Sequence, residues 1–284
     1  MNDHIHTFPA LDTPALLLEH GRMTNNIARM RSQLDGLKVG FRPHVKTAKN
    51  INIALAMSDG KPGPITVSTL READYFADHG YTDILYAVGI TPNKMNHVAA
   101  LLKRGVKLTV ILDSLDGAQA LVDAASALPV PIPPIQVLIE IDCDGHRAGL
   151  LPESAELLAV AQTLAAGGVI VAGVMTHAGG SYECRSDAAL RAMAEQERAR
   201  TVRAAQRLRE AGHAAPVVSV GSTPTALFAQ DLTGVTEVRA GVFVFFDLVM
   251  AGLGVCHVDD IAISVLTTVI GHQREKGWTI VDAG

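Results

Sequence analysis

Eight short runs of apolar, mostly β-branched residues recur along the chain without polar alternation, at residues 40–45, 65–70, 83–88, 107–112, 135–141, 173–177, 217–220 and 237–244. Strands of that kind belong to a parallel sheet covered on both faces, because a strand with one wet face would alternate. They are interleaved with segments of helical period at 22–37, 51–57, 72–79, 92–104, 117–128, 152–166, 187–210 and 224–230. Eight strand–helix units in one chain predict an α/β fold, the TIM (β/α)8 barrel.

After residue 255 the pattern changes. Residues 261–270 and 278–281 read as strands joined by the polar turn Gln273-Arg274-Glu275-Lys276-Gly277, the start of a second, mainly antiparallel β domain. The predicted organisation is a barrel over 1–255 followed by the first strands of that domain over 256–284. A lone hairpin is rarely stable by itself, so the second domain is expected to be incomplete and the chain to be a fragment.

Composition narrows the function classes. With 284 residues, 48% of them hydrophobic, the chain can bury a large core. The net charge is −5, the 24 Lys and Arg are scattered, and aromatics make up 4%, which leaves neither a basic face nor stacking platforms for nucleic acid. Cys143, Cys184 and Cys256 are too few and too far apart for a disulfide framework, which fits a reducing compartment. The first residues, with Asp3, His4, His6 and Pro9, lack the basic start and apolar core of a secretory signal, and a cytoplasmic location is expected. Residues 157–175 are apolar over about the length of a membrane span. Gln162, Thr163 and the pair Gly167-Gly168 divide them into helix, glycine stop and buried strand, and no membrane partner is predicted.

In a barrel of this type the active site lies at the C-terminal strand ends. The first strand ends Arg42-Pro43-His44-Val45-Lys46-Thr47. Desolvation there would lower the pKa of Lys46, as an amine nucleophile requires; the alternative is a lysine solvated in a loop. The fifth ends Asp142-Cys143-Asp144-Gly145-His146-Arg147-Ala148-Gly149, a binding loop or an Asx-capped turn. The sixth gives Thr176-His177-Ala178-Gly179-Gly180-Ser181-Tyr182, where His177 is either a functional group or a hydrogen-bonded structural one. The seventh runs Gly221-Ser222-Thr223-Pro224-Thr225 into a helix, a well-capped start whose position after strand seven suits a phosphate. The eighth carries Arg239-Ala240-Gly241-Val242. A strand-end lysine opposite a phosphate cradle suits pyridoxal 5'-phosphate (PLP) and equally a Schiff-base aldolase acting on sugar phosphates; the spacing does not separate them.

These five ordered motifs resemble the fold-type III PLP enzymes related to alanine racemase, and within them the metal-dependent D-serine dehydratase and D-threonine aldolase branch. Residues 217–284 are similar to the bacterial D-threo-3-hydroxyaspartate dehydratases. The resemblance implies that Lys46 is catalytic and binds the cofactor covalently, that Arg147 contacts its phenolic oxygen, that His177 lies against its ring, and that Tyr182 approaches its pyridine nitrogen. Ser222, Thr223, Gly241 and Val242 would hold the phosphate. Arg239 matches the alanine racemase arginine facing the pyridine nitrogen, and it leans toward a dehydratase because aldolases of the branch tend to carry another residue there. The implied reaction eliminates water from a D-3-hydroxy amino acid to give a 2-oxo acid and ammonia, with Lys46 removing the Cα proton. The alternatives are a D-threonine-type aldolase, a racemase and a non-catalytic PLP-binding protein. The resemblance also implies a homodimer and a divalent metal, zinc or manganese, held by a His followed two residues later by Cys or Asp, beyond Gly284. No metal ligand is predicted in the chain itself: His4 and His6 have a chelate's spacing, but a frayed chain end accounts for such a pair more simply.

Overall fold

The computed structural model describes residues 11–129 and 131–283; His4 and His6 lie outside them. Eight parallel strands form the central sheet: β2 (Gly40–Phe41), β3 (Ile65–Val67), β4 (Asp83–Gly89), β5 (Lys107–Leu112), β6 (Gln136–Ile141), β7 (Ile170–Thr176), β8 (Val217–Val220) and β9 (Glu237–Val238). Neighbours run in the order β2-β9-β8-β7-β6-β5-β4-β3. The ends of that order meet, because residues 42–45 lie between β9 and β3: His44 N donates to Ala240 O at 2.8 Å, Val45 N to Thr66 O at 3.0 Å, and Thr66 N to Pro43 O at 2.9 Å. The sheet is therefore a barrel, closed at a seam of few rungs.

Around it lie α1 (His20–Gly36), α2 (Ile51–Met57), α3 (Leu70–Asp78), α4 (Met95–Lys103), α5 (Leu115–Ser126), α6 (Ala155–Ala166), α7 (Asp187–Glu210) and α8 (Thr223–Phe228), with a short α9 (Leu248–Gly252) that the sequence reading lacks. Several start where a hydroxyl accepts an otherwise unpaired first-turn N–H: Ser114 for α5, Ser154 for α6, Ser186 for α7 and Ser222 for α8. Each such cap stabilises by about 1 kcal/mol. Residues 157–175 resolve as read, with α6, a cap at Gly167, and β7. No helix among the described residues is long and apolar enough to cross a membrane.

The main core fills the layer between strands and helices. A smaller one, Leu85, Ile111, Leu138, Ala172 and Met175, is separate from it and draws on the strands alone. Beneath it, at the N-terminal strand ends, Arg42 pairs with Asp83 at 2.7 Å and Glu237 at 2.8 Å.

The strand bounds differ most where pairing is sparse. The run 237–244 is strand only over its first two residues and then turns into a 3-10 segment, Val242–Val244. The run 261–270 is two strands, β10 (Ile263–Leu266) and β11 (Val269–Gln273), and β11 forms the expected antiparallel hairpin with β12 (Trp278–Val281). The partner of β10 is a strand absent from the sequence reading, β1 (Ala15–Leu18), paired antiparallel from Ala15–Leu266 to Leu18–Ile263. Its four residues sit far from their partner in the chain and carry no turn signal.

Candidate active site

The five strand-end motifs open on one cavity at the C-terminal end of the barrel, about 740 Å³ including its solvent-open mouth. All nine residues singled out in the sequence line it: Lys46, Arg147, His177, Tyr182, Ser222, Thr223, Arg239, Gly241 and Val242. Asp142 and Asp144, from the same loop as Arg147, do not. Asp142 Oδ1 accepts Asp144 N at 3.0 Å and Gly145 N at 2.6 Å, the Asx turn that was the alternative reading. Asp144 Oδ2 accepts Gly180 N at 2.8 Å and so ties the loop after β6 to the loop after β7.

Lys46 follows the seam. Although the residue is exposed at the mouth, partial burial lowers the pKa of its amine, and the positive charges of Arg147 and Arg239 act the same way, opposed by Glu72. Arg239 is 4% exposed; it donates to Ser219 Oγ at 2.7 Å and to Thr176 O. Burial works against its charge, while Glu237, Glu197 and Glu140 favour it. Burial, Arg239 and Arg147 bring the pKa of His177 down to about 4, so the ring is neutral at neutral pH. The ring centroids of His177 and Tyr182 are 6.1 Å apart, and burial pushes the Tyr182 phenol up.

The opposite wall is backbone. Gly221 has φ +120°, and a Cβ there would come within 2.6 Å of Arg239 O, so only glycine lets β8 and β9 turn this closely together. At Gly241 a Cβ would meet His44 O at 2.7 Å. The hydroxyls of Ser222 and Thr223 are already used within the protein: Ser222 Oγ accepts Thr225 N at 3.2 Å and lies 3.0 Å from Ser181 Oγ, and Thr223 Oγ1 accepts Phe243 N at 3.2 Å. By contrast, the N–H groups of Thr223, Gly241 and Val242 donate to no acceptor among the described residues. An anion lodged in this corner would satisfy donors that the fold leaves free.

Other residues that line the cavity were given no role in the sequence reading. His44 stands two residues before Lys46, at an isolated bridge to Thr66 just ahead of the turn that carries the lysine; its buried Nδ1 has no hydrogen-bond partner among the described residues, and burial with the Lys46 charge lowers its pKa to about 2. Glu140 brings a carboxyl whose pKa is raised by burial and by Asp113. Ser68, Ala87, Val88 and Met175 line the cavity as well. His44 lies inside the strand-end motif that carries Lys46; no local signal marks the others. PLP fits this donor set, having an anionic group for the free N–H corner, an aldehyde for Lys46, and a ring between neutral side chains. A metal does not: no three His, Cys, Asp or Glu side chains converge among the described residues.

Comparison with known proteins agrees with the geometry. The alanine racemase N-terminal domain family matches residues 19–249. The chain is 52% identical over 279 residues to the D-threo-3-hydroxyaspartate dehydratase of Delftia sp. (strain HT23), spanning 98% of this chain and 73% of that protein. It is 30% identical over 298 residues to a D-serine dehydratase of Dictyostelium discoideum, spanning 100% of this chain and 75% of that one. The solved Delftia structure superposes with a TM-score of 0.93, covering 97% of this chain and 72% of that chain, and a cysteine-to-alanine variant of it is known in a metal-free form. The chain belongs to the alanine racemase-like family of PLP enzymes, beside the D-threo-3-hydroxyaspartate and D-serine dehydratases.

Proposed function

We propose that the cavity binds PLP and eliminates water from a D-3-hydroxy amino acid, with D-threo-3-hydroxyaspartate, D-serine and D-threonine as the candidate substrates. The observation that carries this reading is the meeting of Lys46, two arginines and three free backbone N–H groups in one pocket of a chain 52% identical to such a dehydratase. Bound PLP supplies an electron sink for the pair left at Cα when its proton departs. Lys46, with its pKa depressed, is the residue that would hold PLP covalently, and as a free amine it would accept the Cα proton at Nζ. Thr223, Gly241 and Val242 would hold the phosphate through their N–H groups, and the Ser222 hydroxyl shapes that turn through its cap. Neutral His177 would lie against the ring without adding charge, Tyr182 would approach the pyridine nitrogen with Arg239 behind it, and Arg147 would contact the phenolic oxygen.

The reading includes a divalent metal, zinc or manganese, with ligands outside the described residues, because a cysteine-to-alanine variant of the similar dehydratase is described as being in a metal-free form. It also includes a homodimer and a cytoplasmic setting. The barrel at 1–255 forms the cofactor site and 256–284 begin a second domain, to which β1 contributes through its pairing with β10.

Product analysis tests the reaction. D-threonine incubated with the PLP-loaded protein should yield 2-oxobutanoate and ammonia. Glycine and acetaldehyde would instead establish the aldolase, and D/L interconversion a racemase.

A further inference from the structure

The parallel ladder between β7 and β8 stops at the pair Met175–Ser219. Beyond it the chains part, one to carry His177 and the other Ser222 and Thr223, and their backbone N–H groups enter a dry interior where each needs an acceptor. One side chain supplies it to two of them. Glu197, in the middle of α7 and 2% exposed, accepts Ala178 N at 3.0 Å and Gly221 N at 3.2 Å on the same oxygen, Oε1. Each amide adjoins a site residue: Ala178 follows His177, and Gly221 precedes Ser222. Gly221 O also lies 3.3 Å from His177 Nδ1.

A carboxylate in such a place is costly unless its lone pairs are filled. No Lys or Arg forms an ion pair with Glu197 among the described residues, and burial raises the pKa of its carboxyl while the two amides and the nearby Thr225 hydroxyl work the other way. An apolar side chain would fill the same volume at lower cost. What it would not do is hold the two strand ends together.

We infer that Glu197 is a positioning residue of the cavity, replacing the missing rung between β7 and β8 and so fixing the distance of His177 from the turn at Gly221, Ser222 and Thr223. What Glu197 holds follows from geometry; what the held cavity binds rests on the proposed function.

Three variants separate this role from packing. Glu197→Met keeps the volume and offers no acceptor, Glu197→Gln keeps a carbonyl oxygen for both amides, and Leu208→Ala opens a cavity elsewhere on the buried face of α7. In the cofactor-free protein, hydrogen exchange at Ala178 and Gly221 should quicken by about tenfold or more in Glu197→Met and stay within about twofold of wild type in the other two. Affinity for PLP, titrated into the same proteins, should fall by about tenfold or more in Glu197→Met alone, the equivalent of about 1.4 kcal/mol. If Glu197→Met does not fold, Glu197→Asp, which keeps the charge but shortens the reach, takes its place with the same expectations. Unchanged exchange in the acceptor-less variant, or equal changes in Leu208→Ala, overturns the inference. Wild-type protein that binds no PLP, with the two amides still released in Glu197→Met, overturns the proposed function and leaves the inference standing.

Discussion

The two mouths of the barrel handle charge in opposite ways. At the N-terminal mouth Arg42, 12% exposed in its side chain, lies between Asp83 and Glu237, and Lys107 approaches Asp83 at 4.0 Å. Ser219 Oγ continues this network upward by donating to Glu237 Oε1 at 2.7 Å. At the C-terminal mouth Lys46, Arg147 and Arg239 gather in one cavity, and none of them forms an ion pair among the described residues. The lower mouth is electrostatically finished by the protein alone. The upper one holds cations and free N–H groups that favour an anionic ligand, and it gives up some stability to keep them available.

Lys46→Ala is expected to give the largest effect, abolishing both turnover and the visible absorbance of lysine-bound cofactor. Because the charged amine is disfavoured first by partial burial and then by its cationic neighbours, the cofactor-free variant should melt no lower than wild type, and a lower melting temperature would put Lys46 among the structural charges. At the other mouth, Arg42→Ala strands the part-buried Glu237 and should cost about 3–5 kcal/mol in a urea titration. A loss below about 1 kcal/mol would erase the contrast, since exposed pairs are worth no more than that.

The upper mouth also predicts a pH dependence. His177 titrates at about 4 in the folded protein and at about 6.5 when unfolded, so between those values the unfolded chain binds more protons and stability rises with pH. The His177 contribution to that rise is about 3 kcal/mol, and His44 acts in the same direction. Urea midpoints measured on the cofactor-free protein from about pH 4 to 7 should therefore climb less steeply in His177→Gln. Parallel curves would mean that the folded ring takes up its proton freely. The smallest effect belongs to Lys107→Ala, an exposed partner at 4.0 Å, whose loss should cost about 0–1 kcal/mol.

The upper mouth was legible in the sequence because its groups hang from strand ends, where a lysine, a histidine or a Gly-Ser-Thr turn interrupts an apolar run. Placing Lys46 required only the end of one such run; His44 stood in the same motif, but nothing local showed that its ring would be buried in the cavity. Glu197 gave no such sign. It is one acid among many in a charged helix, and its burial follows from how α7 lies across the ends of β7 and β8. The pairing of β1 with β10 was equally hidden, since strand partners remote in sequence leave no local mark. The split of 261–270 at Thr267-Thr268 follows from that pairing: β10 is held by β1 and β11 by β12, so one apolar run serves two sheets.

The seam has a consequence for the order in which the molecule is made. The segment that carries Lys46 is fixed on one side by Ala240, almost 200 residues later in the chain. At about 5–20 residues per second of synthesis, that partner emerges about 10–40 s after the lysine does. Until then the lysine segment has only its β3 neighbour, and the anion corner at Gly241 does not exist. Whatever occupies the cavity must therefore be captured by a nearly complete barrel late in its birth, and a truncation just before β9 would release a chain with most of its strands and no site.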